Sequence, residues 1–158
     1  MEKAIKNLRE KNILTKQAIL TTDTKKIAQL IRSSGYHNQK ARKLKELAKF
    51  DGEINRENLL SIWGIGKETA DSILLYAYDK PHFVIDNYTK RIFNRIGYKE
   101  KSYKDLQNLF VSNLPKDIGV YKEYHALIVE LAKNNCKKKP ECEGCALKSM
   151  CRFRDDVS

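Results

Sequence analysis

The chain has 158 residues and carries 31 Lys and Arg against 20 Asp and Glu, a formal net charge of +11. That length holds roughly one to one and a half domains, and the cationic excess suits a polyanionic partner, DNA or RNA, held through its phosphates. No apolar run approaches the roughly 20 residues of a membrane span and no signal peptide opens the chain, so no membrane association and a cytoplasmic location are expected.

With 41% hydrophobic residues, seven Gly, three Pro and almost no alternating pattern, the expected class is all-α. Residues 2–11 read as a helix with Ala4, Ile5 and Leu8 on one face. A short helix follows over Lys16 to Leu20. A third starts near Thr24, capped by Asp23 or Thr24, with Ile27, Leu30 and Ile31 inward, and Gly35 ends it. A helix from about Gln39 to Phe50 buries Ala41, Leu44, Leu47 and Ala48. Asn38 is its expected cap and His37 an expected solvated loop residue. Asp51-Gly52 reads as a turn, and Asn55 caps the helix that runs to Trp63.

Residues 59–97 are the most informative stretch. Gly64-Ile65-Gly66 makes a tight turn in which the two glycines permit backbone angles and close approaches that side chains forbid. The helix that begins near Lys67 starts with unpaired N–H groups and a positive dipole end, a ready site for a phosphate, and Lys67 adds a cation there. Ala70, Ile73, Leu74 and Ala77 form its apolar stripe. After Pro81 come the apolar run Phe83-Val84-Ile85, then Asp86, then a helix carrying Lys90, Arg91 and Arg95. Asp86 is both an expected N-cap and a candidate for chemistry. Ser102 caps the next helix, with Leu106, Phe110 and Val111. Pro115 and Asp117 lead into a long one with Tyr124, Leu127, Ile128 and Leu131 at helical spacing. His125, beside that stripe, reads as a core or interface residue.

Four cysteines lie within residues 136–151, as Cys136, Cys142, Cys145 and Cys151. A disulfide framework does not suit a reducing compartment, so a metal centre is the natural reading. Spacing alone admits an all-thiolate zinc site or a [4Fe–4S] cluster. The single C-x2-C hook favours the cluster, because structural zinc sites ordinarily use two. Lys137, Lys138, Lys139 and Lys148 lie in the same loop, which would present them to phosphates.

The Gly64-Ile65-Gly66 hairpin, the Pro-containing loop and Asp86, 22 positions after Gly64, resemble the helix-hairpin-helix, Gly/Pro…Asp motif of the endonuclease III superfamily of DNA glycosylases. The Gly35-Tyr36-His37-Asn38-Gln39-Lys40-Ala41 run is similar to the segment that opens the equivalent family helix. The cysteine loop is similar to the family's cluster loop, with one residue fewer in its first gap, which strengthens the [4Fe–4S] reading over zinc.

The resemblance implies a monomeric base-excision enzyme, nucleoid-associated, acting on double-stranded DNA with a damaged base. It implies a helix-hairpin-helix lobe over residues 1–100 and a C-terminal lobe over 101–158 with the cluster loop. Asp86 would be the catalytic carboxylate. Gly64, Gly66, Lys67, Thr69, Lys90, Arg91, Lys137 and Lys138 would be the DNA contacts. Cleavage of an N-glycosidic bond has oxocarbenium character, which a carboxylate stabilises while orienting or deprotonating water. Bifunctional members use a lysine two residues after the second hairpin glycine to form a Schiff base, and here that position is Glu68. Lys67 is one residue, about 100°, away around the helix.

The implied activity is a monofunctional glycosylase, similar to the branch related to 3-methyladenine DNA glycosylase and directed at alkylated bases. A glycosylase/AP lyase and a non-catalytic DNA clamp are the alternatives. Tyr88, Trp63 and His37 are candidates to face the flipped base, with plain packing as the alternative. Family members carry about two helices, including a glutamine-bearing segment, before the point that matches Met1, where the family run Asn-Val-Glu-Lys-Ala continues as Met1-Glu2-Lys3-Ala4. A shortened N-terminus, or a start assigned too late, is therefore expected.

Overall fold

A computed structural model describes residues 2–99 and 102–153, and all regular structure among them is helical. Met1, at the expected join to the family's further helices, lies outside the described residues, as does the expected lobe boundary at 100 and 101. None of the described helices is long and apolar enough to cross a membrane. The chain divides into two compact units, Met1–Gly66 and Lys67–Ser158. The reason is packing: the helices that flank Asp86 share one core with the C-terminal helices.

The first unit contains α1 (Glu2–Glu10), α2 (Lys16–Thr21), α3 (Thr24–Leu30), a 3-10 turn (Arg32–Ser34), α4 (His37–Lys49) and α5 (Arg56–Ser61). Its core gathers Ala4, Leu8, Ile13, Ile27, Ala28, Ile31 and Ala41. Ile5, expected on the inner face of α1, is instead exposed. Asp23 caps α3, accepting from the Lys25 and Lys26 amides, and Asn55 caps α5 through the Asn58 amide at 2.9 Å. Helix α4 begins earlier than expected. Tyr36 precedes it in the left-handed region (φ 48°) and makes no side-chain cap, so Asn38 lies inside the helix and caps nothing. His37 is accordingly the half-buried first residue of α4, not a loop residue. Helix α5 stops at Ser61, two residues short of Trp63.

The second unit contains α6 (Lys67–Ala77), α7 (Asn87–Arg95), α8 (Tyr103–Asn113) and α9 (Ile118–Asn134), followed by the cysteine loop. Ser102 caps α8 as expected, and Asp117 caps α9 by accepting the Val120 amide at 2.8 Å. Its core is the run Phe83-Val84-Ile85 with Leu75, Ile92, Leu106, Phe110, Tyr121, Ile128 and Ala132. Phe83 stacks on Phe110 at 4.0 Å between centroids, and Tyr121 meets it edge-on at 5.3 Å. The inward face of α9 runs through Tyr121, Ile128 and Ala132. Tyr124 and Leu127, expected inward, are exposed, and so is Val111 of α8.

Candidate active site and cysteine loop

The hairpin glycines differ from one another. Gly64 sits at φ +82°, a region that only glycine enters cheaply, and a Cβ there would also meet the Lys43 side chain at 2.8 Å. Gly66 has no such φ, and a Cβ would meet nothing within 4 Å. Gly66 therefore relieves no internal strain, contrary to the expectation for both glycines. Its backbone lies exposed at the surface. Trp63, just before the turn, is half exposed with the Arg42 guanidinium 3.7 Å above its ring.

In the second unit, Lys67, Glu68 and Thr69 form the exposed first turn of α6. Lys67 Nζ lies 6.0 Å and Lys90 Nζ 5.9 Å from the centre of the Tyr103 ring. One aromatic surface thus gathers two of the cations that the sequence picked out separately.

Asp86 is the N-cap of α7. Its Oδ1 accepts the Thr89 amide at 2.7 Å and the Thr89 hydroxyl at 2.9 Å, and Thr89 itself is fully buried. Its Oδ2 faces His125 Nε2 at 3.5 Å. Burial is the largest influence on this carboxyl and pushes its pKa up. The nearby His125 ring and the bonds from the Thr89 amide and hydroxyl outweigh it, so Asp86 ends below the ordinary carboxylate value and stays ionised. Glu68 goes the other way: burial and then the Asp86 charge raise it, against the pull of Lys90 and His125. The two carboxyl groups are thus shifted in opposite directions, Asp86 downward and Glu68 upward.

Three members of the site were not expected from sequence. His125, read as a core or interface residue, is largely buried at 13% exposure but stands beside Asp86, and its Nδ1 meets the Tyr76 hydroxyl at 2.7 Å. The third is Asp71, fully buried on α6 among Ala70, Leu74 and Leu75. Its Oδ2 accepts from the Tyr103 hydroxyl at 2.7 Å and from Gln107 Nε2 at 2.9 Å, and His82 Nδ1 stands 3.7 Å from its Oδ1. Gln107 also donates to the Phe83 carbonyl at 2.7 Å, and the Ile85 amide donates to the Tyr103 hydroxyl at 3.3 Å. Buried Asp71 therefore anchors, through α8, the extended run that delivers Asp86. A carboxylate inside the apolar stripe of α6 was the sequence signal for this.

The arginines of α7 bond to the end of α9 and to the cysteine loop. Arg91 donates to the Cys136 carbonyl at 2.8 Å and to that of Ala132 at 3.4 Å, with its guanidinium 5.2 Å from the Tyr88 ring. It thereby holds the start of the cysteine loop. Tyr88, a candidate to face a base, packs against the core. Arg95 donates to Cys136 Sγ at 3.1 Å and to the carbonyls of Lys137 and Lys138, and it stacks on Phe153. Lys137 pairs with Glu141 at 2.7 Å, while Lys138 is exposed. Gly144, at φ +73°, lets the loop turn back.

All four cysteines are free thiols and line one small cavity together with Arg95, Pro140 and Phe153. Among the described residues, no three of His, Cys, Asp and Glu close around a point as the ligands of a single ion would. The shared cavity is the more telling feature for a polynuclear centre, whose thiolates each bind a different metal atom. Four soft sulfur donors, one already receiving an arginine N–H, fit such a centre.

The family model for the HhH-GPD superfamily of base excision DNA repair proteins matches residues 1–116. A Methanocaldococcus jannaschii protein that carries the name of a DNA repair glycosylase is 46% identical over 96% of this chain and 77% of its own length. Endonuclease III of Thermotoga maritima is 31% identical over 96% of this chain and 74% of its own. Among solved structures, the H. pylori 3-methyladenine DNA glycosylase bound to 1,N6-ethenoadenine superposes with a TM-score of 0.72 at 30% identity, covering 83% of this chain and 75% of that one. An endonuclease III–DNA complex superposes at 0.82 over 98% of this chain and 75% of that one; at 24% identity it establishes the shared all-α fold. The chain belongs to the HhH-GPD superfamily of base excision DNA repair proteins.

Proposed function

We propose that this protein is a monofunctional DNA N-glycosylase that removes alkylated bases from duplex DNA by hydrolysis, with Asp86 as the catalytic carboxylate. The observation that carries the reading is the state of Asp86: ionised, fixed through Oδ1 by Thr89, and still able to present Oδ2. Once the nucleotide is flipped out of the stack, such a group stabilises the positive charge that develops on the sugar as the N-glycosidic bond lengthens. It also orients the attacking water.

Glu68 supports a hydrolytic outcome, since a carboxylate at the position of the lyase lysine cannot form a Schiff base. Lys67, the nearest amine, lies over the Tyr103 ring and suits a phosphate better than a sugar carbon. The alkylated substrate is supported by the likeness to the H. pylori 3-methyladenine enzyme. Lys67, Lys90 and the open backbone at Gly66 are the proposed phosphate contacts, with Thr69 beside them and Lys138 on the cysteine loop. Cys136, Cys142, Cys145 and Cys151 would hold a [4Fe–4S] cluster, whose contribution is structural: it ties the loop into a fixed shape.

Methylated duplex DNA provides the test. Free methylated bases should accumulate with intact strands, and borohydride should trap no protein–DNA adduct. Asp86→Asn keeps an N-cap yet should lose about 100-fold or more in rate, in line with the removal of one preorganised electrostatic group. A trapped adduct or strand breaks would instead establish the lyase. DNA binding without base release by the wild type would establish a clamp.

A further inference from the structure

Helices α6 and α9 bring together two residues that the glycosylase reading leaves without a role. Tyr76 extends from α6 and His125 from α9, and the hydroxyl meets the imidazole Nδ1 at 2.7 Å. On the other side of the ring, Nε2 is buried and, apart from Asp86 Oδ2 at 3.5 Å, has no partner among the described residues. We propose that Tyr76 and His125 are a positioning pair for Asp86: the Tyr76 hydroxyl donates to His125 Nδ1 and so fixes the tautomer whose Nε2–H points at Asp86 Oδ2. The inference rests on the reading of Asp86 as the carboxylate that faces the reacting sugar.

For a neutral His125 ring the contacts allow one arrangement of protons. Asp86 is ionised and can only accept, so the nitrogen facing it must donate. A neutral imidazole that donates from Nε2 accepts at Nδ1, and the partner there must be a donor. Tyr76 meets that need, because burial and then the Asp86 charge raise its pKa and keep the phenol protonated. The separation of 3.5 Å between Nε2 and Oδ2 is long for a hydrogen bond; such contacts often tighten only when substrate excludes water.

The other ionisable groups around the trio are Glu68 on α6, Lys90 on α7 and Lys122 on α9. Glu68 is influenced by Asp86, Lys90 and His125 alike, and Lys122 Nζ, paired with Asp79, lies 6.0 Å from the Tyr76 ring. None of them gives His125 Nε2 a hydrogen-bond partner. With Thr89 on Oδ1 and His125 on Oδ2, both carboxylate oxygens have a fixed direction and the rotamer has little freedom. That is what a group must have if its charge is to be in place before the transition state forms.

The experiment compares His125→Ala, His125→Gln and Tyr76→Phe with the wild type and Asp86→Asn. It measures single-turnover release of methylated bases across pH, and DNA affinity in parallel. Gln places an amide N–H where Nε2–H stood, so it is the conservative variant.

In His125→Ala the rate should fall about tenfold, the value of one hydrogen bond to a charged group. DNA affinity should hold, which puts the loss in the chemical step. Asp86 then keeps its burial but loses a donor, so its pKa rises and the acid limb of the rate profile moves to higher pH. His125→Gln should recover most of the rate, and Tyr76→Phe should fall between.

If His125→Ala keeps both rate and acid limb while Asp86→Asn is dead, the pair is overturned and the glycosylase reading stands. Equal losses in the Ala and Gln variants, with lowered melting temperatures, would overturn it as well, in favour of a packing role. If Asp86→Asn releases bases like the wild type, the reading of Asp86 fails, and the proposed role of the pair fails with it. Nitrogen NMR of the imidazole reads the geometry without any activity. The Nε2–H tautomer should be present in the wild type and weakened in Tyr76→Phe, and a wild-type Nδ1–H tautomer would overturn the proposal.

Discussion

Asp71 and Asp86 are both carboxylates in partly or wholly dry surroundings, and their partners make them different. Asp71 has Tyr103, Gln107 and His82 around it and no exposure at all. Burial without these partners would be costly, so the cluster is worth most as a fixed joint between α6, α8 and the run before Asp86. Asp71→Ala leaves the Tyr103 hydroxyl and a Gln107 N–H without their acceptor. It should cost about 3 kcal/mol in urea unfolding; a loss under about 1 kcal/mol would show that water takes the place of the carboxylate. Asp86 instead has Thr89 on Oδ1 and only the longer 3.5 Å contact with His125 Nε2 at Oδ2.

At the scale of the element, α7 is a strut between Asp86, the proposed catalytic carboxylate, and the cysteine loop. Its N-terminus is set by Asp86, while Arg91 and Arg95 near its C-terminus carry five bonds to Ala132, Cys136, Lys137 and Lys138. Arg95 touches a candidate ligand sulfur directly and its guanidinium caps Phe153. Arg95→Ala should therefore leave DNA glycosylase chemistry intact in freshly purified protein but speed the loss of iron to a chelator. The expected size is about tenfold, typical when a group supporting a metal ligand is removed. Absorbance of the purified protein during chelator exposure measures it. Unchanged iron loss would confine Arg95 to packing.

For the whole molecule, a net charge of +11 sets how strongly any polyanion is attracted, and salt reads how many phosphates are engaged. Many of the cations are spoken for: Arg91 and Arg95 bond to carbonyls, and Lys16, Lys49, Lys122 and Lys137 pair with acids. Lys67 and Lys90 flank Tyr103 on the surface instead. Replacing either with Ala should weaken binding to any DNA sequence and lower the slope of log affinity against log salt by about one. Arg91→Ala should leave that slope unchanged. If Arg91 and not Lys67 changes it, the assignment of the two cations is reversed.

The sequence by itself determined whatever depends on neighbours along the chain. Caps at Asp23, Asn55, Asp86 and Ser102 follow from short-range hydrogen bonding to amides a few residues on, and so these helix starts were legible. The same holds for the all-α class, the hairpin, the candidate carboxylate and the four thiols. The exception among the caps, Asn38, arose because Tyr36 takes a left-handed backbone that no propensity announces.

What only the tertiary structure decided is which side chains meet across helices. His125 is 39 positions from Asp86, and Asp71 is 32 from Tyr103; no local period encodes either contact. The amphipathic pattern also gave the wrong edge of α9. The stripe Tyr124, Leu127, Ile128, Leu131 is as apolar as the buried one through Tyr121, Ile128 and Ala132. Which of two such stripes turns inward depends on the shape of the core it meets, here the Phe83–Phe110 stack, and that shape exists only once the helices have packed.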